Sequence, residues 1–143
     1  MIGTWKGFYK YDKQGIQDKI GFDRTNFTIY IDSFENNKFK GKAEDDIFTG
    51  GMPGVGRVKG TVKAEKVRFI KIMPSKSPFN KPGEPEIYKD KYLSVIHEGT
   101  FSEDKKTIKG IWNIKFQFAI ISFILLLFPT KGTWQIDFVD KNN

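Results

Sequence analysis

The 143-residue sequence contains no cysteine and only one histidine, His97. Without cysteine the chain has no disulfide framework, no cysteine-based zinc site and no catalytic thiol. A single histidine also excludes a metal site built from several imidazoles. No motif for catalysis or cofactor binding stands out elsewhere. We therefore expect no metal, no cofactor and no enzymatic activity.

Arginine is scarce, although the chain is basic. The 24 basic and 17 acidic residues give a formal net charge of +7, and the arginines are Arg24, Arg57 and Arg68 alone. Arginine is the preferred residue for bidentate contacts with phosphates and guanine edges. The lysines are scattered from Lys6 to Lys141. These features predict a solvated basic surface and no nucleic-acid partner.

The first ten residues, MIGTWKGFYK, lack the basic region and apolar stretch of a signal peptide and lead directly into strand-like sequence. We therefore expect a cytoplasmic protein. The polar residues 141–143 are expected to form a C-terminal tail.

Alternation of apolar and polar residues runs through most of the chain and predicts half-buried antiparallel strands. In residues 38–43, for example, Phe39 and Ala43 alternate with lysines. Eight to ten such strands are joined mostly by short polar turns. Residues 15–22 have room for a turn of helix, and the glycine-rich residues 50–56 are expected to connect two strands.

Short connections between neighbouring strands predict an antiparallel meander. An open meander of this size would expose two edges, whereas a closed one exposes none. We therefore predict an all-β fold in which residues 1–140 form one domain, an up-and-down meander closed into a barrel.

A glycine followed two residues later by an aromatic residue recurs along the predicted strands. The pairs are Gly3/Trp5, Gly7/Tyr9, Gly99/Phe101, Gly110/Trp112 and Gly132/Trp134. Residues i and i+2 share one face of a strand, and glycine relieves crowding where a sheet coils sharply. Two interpretations follow: the rings fill a core, or some of them line a ligand cavity.

The sequences Gly3-Thr4-Trp5 and Gly132-Thr133-Trp134, at the two ends of a strand meander, resemble the calycins, which include lipocalins, fatty-acid-binding proteins and avidins. This resemblance implies an eight- to ten-stranded up-and-down barrel with an apolar cavity, and it implies no named ligand. The chain departs from the lipocalin pattern, since Lys131 alone stands near the place of a late arginine. The Arg-x-Tyr clamp of fatty-acid-binding proteins is absent near the C-terminus. Trp5-x-Gly7 is similar to the haem-binding nitrobindins, but no histidine near the C-terminus would ligate iron.

Every second residue of a strand faces the same side of the sheet, so the alternation predicts which residues face the barrel interior. Six of these are candidate ligand contacts. They are Tyr9, Phe69, Lys71, His97, Trp112 and Trp134. His97 lies on the more apolar face of its strand, where it is either a hydrogen-bonded core residue or a polar anchor for a ligand. Lys71 either extends out of the barrel rim or stays inside and neutralises an acidic ligand head group. Asp45 and Asp46 are expected to form a solvated strand end.

Residues 116–128, FQFAIISFILLLF, are unusually apolar but too short to cross a bilayer as a helix. Three roles remain open: a lid over one barrel end, a homo-oligomer interface, or peripheral contact with a membrane whose anionic head groups attract the basic chain. The residues assigned to this lid or interface are Phe116, Phe118, Ile121, Phe123, Leu125 and Phe128.

The function we expect is non-enzymatic binding of a small apolar or lipid-like ligand in the lumen. The alternative is a filled barrel that oligomerises or binds another protein through residues 116–128. The first predicts an apolar pocket of at least about 300 Å³, and the second predicts room for no more than a few waters.

Overall fold

The computed structural model of the chain describes residues 1–74, 92–115 and 131–140. These residues form eight strands, one short helix and a 3₁₀ turn at Ile47–Thr49. The elements are β1 Gly3–Tyr11, α1 Gln14–Ile20, β2 Thr25–Glu35, β3 Lys38–Asp45, β4 Val55–Lys63, β5 Lys66–Pro74, β6 Tyr92–Phe101, β7 Thr107–Lys115 and β8 Lys131–Asp140.

Each strand pairs antiparallel with the next, and β8 pairs back with β1 to close a barrel. Closure gives every strand two hydrogen-bonded neighbours and leaves no sheet edge. The predicted all-β class, meander and barrel are confirmed. The predicted helical turn within residues 15–22 is confirmed by α1, whose C-cap residue Gly21 has a left-handed φ of 85°.

The up-and-down path gives the barrel two different ends. At one end, which we call the turn end, β2 joins β3, β4 joins β5 and β6 joins β7 through short connections. Asn36 and Asn37, for example, both have positive φ, as a two-residue hairpin turn requires. At the other end, the loop end, α1 lies between β1 and β2, and the 3₁₀ turn lies between β3 and β4.

Two predicted segments lie outside the described residues. They are the apolar residues 116–128 and the polar C-terminal tail, residues 141–143. The roles assigned to residues 116–128 therefore stay predictions.

Every second residue of each strand faces the barrel interior, as the alternation predicts. On β3, Phe39 and Ala43 are buried, whereas Lys38, Lys40 and Lys42 are exposed. The other buried apolar side chains include Trp5, Phe27, Ile29, Ile31, Val58, Val67, Met73, Ile108 and Ile136. These side chains form one hydrophobic cluster that occupies the lumen.

In the glycine–aromatic motifs, the tryptophan rings also lie opposite glycines of the neighbouring strand. The register of β7 with β8 places Trp112 opposite Gly132, and Trp134 opposite Gly110. A Cβ atom at Gly132 would lie 2.7 Å from the Trp112 indole, so that ring covers the neighbouring strand's glycine. The two motifs thus exchange partners, each tryptophan facing the glycine of the other.

Candidate functional site

All six predicted ligand contacts point into the lumen and are buried, none more than 8% exposed. The structure divides them into two groups along the barrel. The first group is Phe69, His97 and Trp134, which contact one another. The second group is Tyr9, Lys71 and Trp112, which lie nearer to the loop end.

His97 is held in a packed aromatic group. Its ring stacks on Phe69 with centroids 4.4 Å apart, and Trp134 meets it edge-on at 5.4 Å. The His97 Nδ1 atom lies 3.2 Å from the Val95 carbonyl oxygen, so a proton on Nδ1 donates to that carbonyl. Burial, with the Lys71 charge as a smaller cause, holds the pKa of His97 well below its usual range. His97 is therefore a neutral, tightly packed ring.

This environment predicts a loss of stability in mild acid. An unfolded histidine takes up a proton near pH 6.5, whereas folded His97 stays neutral, so the unfolded chain binds more protons as the pH falls. We expect the free energy of unfolding to drop between about pH 7 and pH 5, by up to about 2 kcal/mol from this residue alone. Urea denaturation at both values measures it.

The matched variant is His97→Phe, which keeps an aromatic ring against Phe69 but removes the titrating group. Its stability should change less between the two pH values than that of the wild type, because the histidine contribution is removed. The carboxylates titrate in both proteins, so their contribution cancels in the comparison. Equal pH slopes would show that His97 is protonated in the folded protein too.

The second group contains an ion pair inside the barrel. The Lys71 Nζ atom lies 2.7 Å from Asp45 Oδ1, and the two side chains are 4% and 1% exposed. Lys71 therefore stays inside the lumen and does not extend from the rim. The prediction of a solvated Asp45 is wrong. Asp45 lies two residues after Ala43 and six after Phe39, so its carboxylate faces the barrel interior as they do.

The remaining atoms of the pair are also engaged. Asp45 Oδ2 accepts hydrogen bonds from the Tyr9 hydroxyl at 3.1 Å and from the Met52 backbone N–H at 3.3 Å. The Lys71 ammonium lies 4.9 Å from the Tyr9 ring centroid and 5.1 Å from that of Phe27, within the range of cation–π contacts. Burial and the Asp45 charge raise the pKa of Tyr9, which keeps its hydroxyl protonated as a donor.

The connection after β3 supplies the last contact to the polar cluster formed by Tyr9, Asp45 and Lys71. The neighbouring Asp46 caps the 3₁₀ turn, since its Oδ1 accepts a hydrogen bond from the Phe48 N–H at 3.0 Å. The chain then returns through Gly51, where a Cβ atom would lie 2.5 Å from the Asp45 Cβ. Only glycine permits this close approach, which brings the Met52 N–H to Asp45. The glycine-rich segment leads from β3 towards β4, as predicted.

Aromatic rings surround the cluster on its β1 and β7 sides. Tyr9 meets Trp112 with centroids 6.0 Å apart, and Tyr11 meets Trp112 edge-on at 5.2 Å. The Trp112 indole N–H donates to the Lys10 carbonyl at 3.0 Å, which fixes the ring. The loop end of the lumen therefore combines a rigid aromatic wall with three convergent polar side chains, those of Tyr9, Asp45 and Lys71.

The lumen is closely filled towards the turn end. A cavity of about 10 Å³ lies there, bordered by Trp5, Phe39, Phe69 and Ile136 among others. A space of this size holds at most one water. The expected ligand pocket of at least about 300 Å³ is therefore not in this part of the barrel.

Among residues 1–74, 92–115 and 131–140, no group of three or more histidine, aspartate or glutamate side chains is arranged to hold a metal ion. No helix within these residues is long and apolar enough to span a bilayer.

Comparisons of the chain with protein-family models, curated proteins and solved structures find no match. The resemblance to calycins therefore stands on architecture: an eight-stranded, antiparallel, up-and-down closed barrel.

Proposed function

We propose that the protein binds a small, largely apolar molecule at the loop end of its lumen and does not transform it. The observation that carries this proposal is the ion pair between Lys71 and Asp45 among apolar side chains. A buried ion pair is often no more stabilising than apolar residues of the same volume, so fold stability alone does not account for it. A few convergent polar groups within apolar walls are characteristic of small-molecule sites.

The contacts of Lys71 indicate the chemistry of the ligand. An ammonium group has three donors, and Asp45 accepts from it at 2.7 Å while the Tyr9 and Phe27 rings lie beside it. Asp45 already supplies the negative charge that we expected from an acidic head group. We therefore favour a ligand with a neutral acceptor, a carbonyl or hydroxyl oxygen, with Trp112 and Tyr11 against its apolar body.

Native mass spectrometry of the purified protein tests this proposal first, because a retained ligand adds its mass to that of the chain. Titration with two fluorescent probes, neutral Nile red and the anion anilinonaphthalene sulfonate, tests the predicted preference for a neutral acceptor. We expect Nile red to bind more tightly.

The variant for this titration is Asp45→Asn with Lys71→Met, which removes both charges and leaves no unpaired ion. Loss of a charge-assisted hydrogen bond should weaken Nile red binding about tenfold or more. The control is Lys59→Met, an exposed lysine on β4. No adduct and no saturable probe binding would overturn the proposal.

A second function is favoured by the packing of His97 against Phe69 and Trp134. If the whole lumen is filled in this way, the barrel acts through its outer surface as an oligomer or as a partner-binding module. Sedimentation velocity distinguishes a monomer from a homo-oligomer, and absence of probe binding together with self-association would support this second function.

A further inference from the structure

The hairpin of β3 and β4 carries an unusual set of cations on the outside of the barrel. Its exposed basic residues are Lys38, Lys40, Lys42, Arg57, Lys59 and Lys63. The register places Lys40 directly opposite Lys59, and Lys42 directly opposite Arg57. Like charges in directly opposed positions destabilise a sheet. Stability of the barrel therefore does not explain the facing pair Lys40 and Lys59, whereas an anionic partner would.

The same hairpin ends in an exposed apolar tip. Phe48 is 81% exposed and Ile47 is 55% exposed, both within the 3₁₀ turn between the two strands. The Asp46 carboxylate accepts from the Phe48 N–H, and the Thr49 N–H bonds to the Asp46 carbonyl, so the turn is held in place with its apolar side chains outward. The tip is thus a fixed feature of the fold, and its apolar side chains are left to water.

Other exposed apolar side chains lie close to this tip. Val55, the first residue of β4, is 55% exposed, and Phe22 is 42% exposed. A Cβ atom at Gly50, just after the 3₁₀ turn, would lie 3.7 Å from the Phe22 ring. The apolar surface therefore extends from the β3–β4 connection onto the segment that follows α1.

We propose that the β3–β4 hairpin docks on an anionic lipid bilayer. The tip residues Ile47 and Phe48 enter the head-group region. The exposed cations between the middle of the strands and the tip, among them Lys40, Lys42 and Lys59, meet lipid phosphates and carboxylates. Apolar side chains bordered by cations are the combination that holds proteins at membrane surfaces. The formal net charge of +7 adds long-range attraction to such a surface.

The composition of the hairpin favours lipid over nucleic acid. Five of its six exposed cations are lysines, which act as point charges and do not form the bidentate phosphate contacts of arginine. A single-strand binder places rings along its basic face for bases to stack on. On the hairpin itself the exposed ring, Phe48, lies beyond the strands at the tip. This surface is outside the barrel and independent of the proposed lumen site.

Vesicle flotation tests the docking. The full chain is mixed with phosphatidylcholine vesicles, with or without phosphatidylserine, at low and at high salt. We expect the protein to float with phosphatidylserine vesicles at low salt and to remain unbound at high salt or with phosphatidylcholine alone. Failure to float with phosphatidylserine vesicles at low salt would overturn the proposal, whatever the result of the Nile red titration.

Two variants separate the contributions of charge and of the apolar tip. Each lysine near an anionic bilayer contributes about fivefold to partitioning, so Lys40→Gln with Lys59→Gln should weaken binding about 25-fold. Phe48→Ser should weaken it about fivefold by removing the ring that enters the bilayer. All three side chains are exposed, and circular dichroism checks that the barrel remains folded.

The matched control is Lys6→Gln with Lys109→Gln, which removes the same charge from exposed positions on β1 and β7. This pair should lose much less binding than the hairpin pair. Equal losses would show that net charge alone drives the attraction and would overturn the docking site. Full retention of binding by Phe48→Ser, together with displacement of vesicles by a short RNA, would assign the basic face to nucleic acid instead.

Discussion

Lys71→Met is expected to lower the free energy of unfolding by about 3–5 kcal/mol, because it leaves Asp45 as an unpaired carboxylate inside the barrel. The Tyr9 hydroxyl and the Met52 N–H continue to donate to Asp45, but neither carries a charge. A domain of this size is stable by about 5–15 kcal/mol, so the substitution removes a large part of the total. Urea denaturation at neutral pH, followed by tryptophan fluorescence, measures the change.

The double variant Asp45→Asn with Lys71→Met makes this result specific to the ion pair. Both charges are absent, the asparagine retains an oxygen for the Tyr9 hydroxyl, and methionine fills most of the lysine stem. We expect its stability to lie within about 1 kcal/mol of the wild type or above it. The exposed control Lys59→Met should change stability by no more than about 0.5 kcal/mol.

Two outcomes would contradict this account. If Lys71→Met is no more destabilising than Lys59→Met, the Lys71 ammonium is not held against Asp45 in a dry lumen. If the double variant is as unstable as the single one, the loss comes from packing and not from an unpaired charge. Recovery in the double variant would instead mean that the pair is dispensable for folding, which leaves ligand binding as the reason for its presence.

Much of the fold follows from a simple property of the sequence. In a closed barrel each strand has an inside and an outside, so a period of two is enough to locate strands such as β3 and β4. Closure then follows from the cost of exposed edges. The partner exchange between Trp112 and Trp134 could not be predicted in this way, because it depends on the register of β7 with β8. Parity carries no information about register.

The candidate site was predictable only in part for a related reason. Parity places Lys71 and His97 inside the barrel, but it says nothing about what they meet across the lumen. Asp45 was missed because it lies at a strand end beside Asp46 and a glycine-rich segment, a composition typical of solvated loops. It belongs to β3 and its partner Lys71 to β5, so the contact bridges strands that are not neighbours and exists only because the sheet curves. The inward parity of Asp45 after Phe39 and Ala43 was the available signal.

The exposure of Phe48 also could not be predicted from the strand pattern. Residues 47–49 lie between two strands, where alternation ends and an apolar residue carries no indication of the side it faces. The direction of the tip is set by the Asp46 hydrogen bonds, which depend on the conformation of the turn. Local hydrogen bonding of this kind has to be observed.

Gly110→Ala is expected to lower the free energy of unfolding by about 3 kcal/mol, although it adds a single methyl group. A Cβ atom at this position would collide with the Glu98 carbonyl oxygen and would lie 2.5 Å from the Gly99 Cα. Both are backbone atoms of β6, so relief requires that two paired strands separate. The Glu98 carbonyl also accepts from the Trp134 indole N–H at 3.3 Å. The near-ultraviolet circular dichroism of the tryptophans should therefore change together with stability.

Gly15→Ala is the matched control, because it adds the same methyl group in α1. No atom of the described residues outside its own helical segment lies within 4 Å of the added Cβ. Alanine is the better helix former, so this variant should be more stable than the wild type by up to about 1 kcal/mol, with an unchanged tryptophan signal. The two alanine substitutions are thus expected to shift stability in opposite directions. A Gly110→Ala variant as stable as Gly15→Ala would contradict this account. It would show that the backbones of β6 and β7 are farther apart at Gly110, and that glycine is not needed there beside Trp134. The tryptophans would then be ordinary core residues on a less strongly coiled sheet.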